Sequence, residues 1–145
     1  MEIGKHSTGS ETPSLGDLIS EAPAPAKAAI LQAKALRNDG NRLAAKALLQ
    51  DLADMYPDEK AIFVLLGHLH WDEADLVNAK TCFRKATELD PELEIASLAL
   101  YHTLWSSGQE EEALAEMKRF LKVSHSEEYD RILQVFREET SGSSS

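Results

Sequence analysis

His68, His70, Asp72 and His102 are the side chains whose types and spacing raise the question of a metal ion, and Cys82 is the one thiol of this sequence. His68 and His70 stand two residues apart, so on a helix they project about 200° from each other and cannot share an ion. A site made from His68, His102 and Asp72 would have to join two distant segments, and no metal is expected. Cys82 precedes Phe83 inside a helical pattern, with no adjacent cation or helix start to lower its pKa, which makes it a structural thiol rather than a nucleophile. No glycine loop for phosphate, nucleophile elbow or paired catalytic motif is present. The expectation is a protein without catalytic activity and without a cofactor.

Recognition chemistry is better represented. Lys34, His68 and His102 recur at intervals of 34 residues, and so do Arg37, Trp71 and Trp105. Within each helix the two series stand three residues apart and share a face. Lys27, Lys34 and Arg37 therefore form a cationic stretch that runs into an aromatic and histidine-rich region made by His68, Trp71, His102 and Trp105. Tryptophan and arginine are the residue types that most often dominate binding energy. Packing between neighbouring helices is the competing role for the tryptophans.

The elements that position these residues follow from the same period. Ala45, Ala79 and Ala113 are 34 apart, and Leu49, Phe83 and Met117 keep step with them, as do Leu36, His70 and Leu104. A small residue in a fixed slot lets the second helix of a helix-turn-helix unit press against the first. Ile62, Phe63, Leu66 and Leu69 fall at helical spacings, and so do Ala79, Phe83, Ala86 and Leu89. Asn38 to Asn41 and Ser106 to Gly108 are turn segments whose glycines lie 68 residues apart, twice the period. His70 occupies a core slot, where a buried, hydrogen-bonded histidine is expected. Ser124 and Glu127 read as a capping box that opens an end helix with Tyr129, Ile132, Leu133 and Phe136 on one side. Strand signals are absent.

The stretch from Lys60 to Leu93, with Phe63, Leu66, Gly67, His70, Ala79, Phe83, Ala86 and Pro91, resembles the tetratricopeptide-repeat family. One period back, residues 26–59 keep Ala33, Leu36, Ala45, Leu49, Leu52 and Pro57, but Ala29 and Gln32 replace larger apolar residues, so a thinly packed first helix is expected. One period forward, residues 94–127 keep Leu100, Leu104, Gly108, Ala113, Met117 and Phe120, with Tyr101 and His125 departing from the pattern. The resemblance implies an all-α, right-handed α–α superhelix of three repeats plus a C-terminal capping helix, seven helices in total. It also implies that the first helix of each repeat lines a concave binding groove. The lysine, asparagine and arginine clamp by which some members hold chaperone carboxyl termini is not present, since Lys34 is joined by Val64, His68, Leu98 and His102.

Composition bounds the rest. At 145 residues and 43% hydrophobic, the chain is one domain with enough core to need no disulfide. Residues 1–25 read as a disordered leader and 140–145 as a flexible tail, around a repeat domain at 26–139 whose capping helix is placed at 125–139. Leu15 to Ile19 is an apolar island in that leader. It is either incidental or a tethered segment that folds back into the groove or docks on a partner. Met1 to Glu21 lacks the features of a signal peptide and no stretch is apolar enough to span a membrane, so a cytoplasmic location is expected. The net charge of −10 argues against nucleic acid, and Glu110 to Glu112 suits a helix start. The expected function is a scaffold that binds a peptide or helix of a partner protein in its groove. The alternative is a dedicated bacterial chaperone or immunity protein for a basic client. Pairing of two copies through apolar end surfaces, a homodimer, stays open.

Overall fold

The computed structural model describes residues 13–143, with side chains as far as Thr140. Eight helices follow one another among the described residues: α1 (Leu15–Ser20), α2 (Ala24–Asn38), α3 (Arg42–Met55), α4 (Lys60–Asp72), α5 (Leu76–Leu89), α6 (Glu94–Ser106), α7 (Glu110–Val123) and α8 (Glu127–Ser143). Helices α2 and α3, α4 and α5, and α6 and α7 form three helical hairpins that stack into a right-handed α–α superhelix. Helix α8 closes the end.

Close approach within each hairpin explains the period. Ala45, Ala79 and Ala113 are all fully buried, beside buried Leu49, Phe83 and Met117. At the tightest point, a Cβ on Gly67 of α4 would lie 2.5 Å from the Phe83 ring of α5. Only glycine admits that ring. The turns repeat as well: Gly40, Ala74 and Gly108 occupy one slot and have φ of 85°, 60° and 80°. Ala74 takes the left-handed conformation without glycine's freedom, at a cost of about 1–2 kcal/mol. Backbone bonds from Ala74 N–H to Trp71 O and from Asp75 N–H to His70 O satisfy the end of α4.

Helix α8 is fixed by a buried polar network. Ser97 Oγ on α6 donates to Glu116 Oε2 on α7 at 2.8 Å and lies 2.8 Å from Tyr129 OH on α8. Arg119 grips the buried Glu116 carboxylate with two bonds, 2.6 and 2.9 Å, which offsets the desolvation of the charge. The cap of α8 is Ser126, whose Oγ accepts the Tyr129 N–H at 3.0 Å. The expected Ser124 capping box is not formed, because Ser124 is extended and ends α7.

The ends differ from expectation. Part of the expected disordered leader, Leu15–Ser20, is a helix, and α2 begins at Ala24 behind Pro23. Helix α1 carries a complete capping box, with Ser14 Oγ accepting from Asp17 N–H and Asp17 Oδ2 accepting from Ser14 N–H. It packs on α2 and α4, and this makes eight helices rather than seven. One face of α2 is thereby covered: Ala26, Ile30 and Ala33 share one buried cluster with Leu18 and Ile19. At the other end α8 runs on to Ser143, past the expected limit of the capping helix. Residues 1–12 of the leader and 144–145 of the tail lie outside the described residues.

Because Ala79 is fully enclosed in a cluster with Phe83 and with Leu100, Tyr101 and Leu104 of α6, Ala79→Leu is expected to overpack that cluster and to lower stability by about 1–3 kcal/mol. A thermal melt followed by circular dichroism checks this. Melting at the parent temperature would contradict the helix register.

Candidate concave binding groove

The first helices of the three repeats, α2, α4 and α6, bring residues 34 apart into line. Lys27, Ala61 and Ile95 share one slot, Ile30, Val64 and Leu98 the next, and Leu31, Leu65 and Ala99 a third. In the second repeat this floor is closed, with Ala61, Val64 and Leu65 fully buried, and in the first it is closed at Ile30 but not at Leu31, which is 47% exposed. In the third it is open. Ile95, Leu98 and Ala99 form the floor of a groove of about 800 Å³ between α4, α6 and α8. His68 and His102 stand on its sides, His125 at its end, and Glu94, Glu127, Glu128 and Arg131 along its rim. The rim is largely self-satisfied, since Arg131 pairs with Glu128 at 2.7 Å and Ser126 Oγ donates to Glu94.

The predicted site residues divide into groups. His68 and His102 line the groove together. Trp105 instead stacks on Tyr101, with ring centroids 5.9 Å apart, and leans on Phe136 of α8 at 5.7 Å. It thus serves packing, while one edge opens to an apolar cleft shared with His102, Ile132 and Val135. Trp71 is 37% exposed and lines neither cavity. Arg37 is engaged by the next repeat, its guanidinium donating to both oxygens of Asp72 at 2.8 and 3.2 Å. Lys34 is half-buried, and Lys27 borders a shallow pocket with Ala24, Ala28 and Leu31. Sequence reasoning missed Ile95, Ala99 and the α8 rim as groove residues. Extending the period to every position of the first helix would have found the first two.

Asp72 is held by Arg37, and among the described residues no group of three or more histidine, cysteine or carboxylate side chains is arranged to hold a metal. Burial, and to a lesser degree Asp75, pushes the Cys82 thiol up to about 11, away from thiolate chemistry. His70 is buried as expected, but its Nδ1 makes no hydrogen bond and stands 3.5 Å from Asp75. Asp75 is turned instead toward Asn78, whose backbone N–H and side-chain amide it accepts at 3.2 and 2.8 Å.

Two histidines carry a pH dependence. Burial, then the Arg37 charge, lowers the pKa of His68 against the pull of Asp72. Burial, then Lys46, lowers that of His70 against Asp75 and Glu73. The folded state therefore favours the neutral rings, and the unfolded chain binds more protons as pH falls below the ordinary value of 6.5. Their stabilisation is complete above that value and is lost on acidification. The urea midpoint is expected to fall between about pH 7.5 and 5.5, and to fall less in His68→Gln/His70→Gln. A flat or rising midpoint in the parent protein would contradict this.

Among the described residues no helix is long and apolar enough to cross a membrane. Residues 61–93 match the family model described as tetratricopeptide repeat. Over 115 residues, 78% of this chain and 7% of the relative, the sequence is 30% identical to Superkiller complex protein 3 of Homo sapiens. The Mus musculus protein of that name is 31% identical over 97 residues, 66% of this chain and 6% of its own. The chain thus spans less than a tenth of these relatives. A mutant of the Thermobaculum terrenum O-GlcNAc transferase superposes with a TM-score of 0.59 at 26% identity, over 77% of this chain and 20% of that one. A mutant of MamA superposes with a TM-score of 0.61 at 21% identity, over 77% of this chain and 84% of that one.

Proposed function

The chain belongs to the tetratricopeptide-repeat family, and from that premise we propose that it is an interaction module holding a short segment of a partner protein in its concave groove. The observation that carries this is the change of exposure along one floor, closed over Val64 and Leu65 and open over Ile95, Leu98 and Ala99. An apolar side chain of the partner loses water on that floor, and backbone or polar groups meet His68 and His102. The groove is electrically directional. Lys27 and Lys34 stand toward the α2 end and Glu127 and Glu128 at the α8 end, which orients a segment with its acidic part toward the first repeat.

In this reading the ligand is protein rather than nucleic acid, in keeping with a net charge of −10. The module binds and does not catalyse. The open edge of Trp105 supplies an anchor beside the floor, the exposed Trp71 a second one outside the groove, with Arg37 held in position by Asp72.

A second reading, a chaperone or inhibitor dedicated to a basic client, draws on the carboxylates of α8. Glu127→Lys/Glu128→Lys separates the two, since it abolishes capture of a basic client and only weakens a segment anchored by its apolar residues.

The Trp71→Ala/Trp105→Ala variant is expected to bind a partner captured by the parent protein at least about 2 kcal/mol more weakly, the usual threshold for a hot spot. Calorimetry measures the affinity and a circular-dichroism melt verifies the fold, with Trp71→Ala alone as the variant that leaves α8 packing intact. Unchanged affinity in the folded double variant would move the interaction away from this groove, and unchanged affinity in Trp71→Ala alone would leave Trp105 as the anchor.

A further inference from the structure

Helix α1 lies where a groove ligand would lie. It packs on α2 and α4, the first helices of two successive repeats. Leu18 and Ile19, each 2% exposed, belong to the same buried cluster as Ile30, Val64 and Leu65. These three occupy the slots whose third-repeat counterparts, Leu98 and Ala99, line the open groove. The slot of Ile30, Val64 and Leu98 is therefore apolar in all three repeats, and it is buried in the first two, where α1 packs, while Leu31 beside it stays 47% exposed. Ile95 lines the groove and also packs against the large buried cluster to which Leu18 and Ile19 belong, so groove and α1 seat border one core.

Two features make α1 a removable occupant. It is six residues long, far below the roughly 12–15 residues at which an isolated helix becomes stable, so its helicity depends on its capping box and on its seat. Helix α2 has a start signal of its own, with Pro23 at its N-cap and Pro25 inside its first turn fixing the backbone at its entry. We propose that α1 is an intramolecular stand-in for the partner. The partner is then an amphipathic helix with large aliphatic residues at positions i, i+3 and i+4, the pattern of Leu15, Leu18 and Ile19. It displaces α1 and continues over Leu98 toward α8. This rests on the groove-binding reading above, and it adds that the tethered copy lowers apparent affinity by the fraction of molecules in which the seat is filled.

The probe is a fluorescein-labelled peptide of residues 13–22, titrated by anisotropy against the full chain. Against Leu18→Asp/Ile19→Asp, whose own α1 cannot seat, it is expected to bind at least about tenfold tighter than against the parent. A peptide carrying the same two aspartates should bind neither. Hydrogen exchange on the unmodified full chain provides the second readout: α1 amides should exchange much faster than those of α4, by an opening that leaves the repeats folded. Equal or absent peptide binding to the folded double variant overturns the proposal. So does a double variant that cannot fold, or α1 amides protected as long as those of α4, because each makes α1 an integral layer of the core. Any of these results leaves the tryptophan titration unaffected, since that experiment uses the partner itself.

Discussion

The distance between the two helices of each repeat governs the rest of this molecule. Ala45, Ala79 and Ala113 are enclosed in one slot of the second helix, and Gly67 receives the face of Phe83 at a range no side chain could share. Such contact brings the backbones close, and interiors packed at this density tolerate little change of volume. Because the same small and large residues recur every 34 positions, successive hairpins dock in the same way. First helices are thereby set side by side. A ladder of equivalent positions across them becomes a groove floor, with no further instruction from the sequence.

What covers that floor then depends on the two ends. At the C-terminal end, the network of Ser97, Glu116, Arg119 and Tyr129 ties α8 to α6 and α7. Helix α8 so held forms one wall of the open groove and receives Trp105 against Phe136. At the N-terminal end, α2 is rich in alanine and presents little bulk of its own. Leu18 and Ile19 supply the missing apolar volume. A thin repeat and a short extra helix are thus two parts of one packing solution, and the groove is open beyond the reach of α1, with α8 as its wall.

The period was legible in the sequence because every repeat must solve the same steric problem with similar residues. Exposure was less legible, since it depends on contacts between distant segments. Helix α1 had a signal, Ser14 and Asp17 in capping positions around an apolar i, i+3, i+4 pattern, but six residues among prolines, glycines and serines carry little periodicity. Its burial depends on α4, more than 40 residues away. The choice of Ser126 over Ser124 as the cap of α8 follows from Tyr129, which must reach Ser97. The missing hydrogen bond of His70 follows from Asn78, which takes both oxygens of Asp75. The tryptophans share a slot yet differ in exposure, because Trp105 packs on Tyr101 and on Phe136 of α8 while Trp71 stays 37% exposed.

The central claim is that one continuous floor is shielded in the second repeat and open in the third. Thiol labelling of Val64→Cys and Leu98→Cys in the full chain measures it directly. Cys82, buried and with its pKa raised to about 11, supplies a nearly silent background. Leu98→Cys is expected to react promptly and Val64→Cys to react slowly, at a rate set by the opening of α1. Equal rates at the two positions, or faster labelling at Val64→Cys, would contradict the arrangement of α1 and the groove described here.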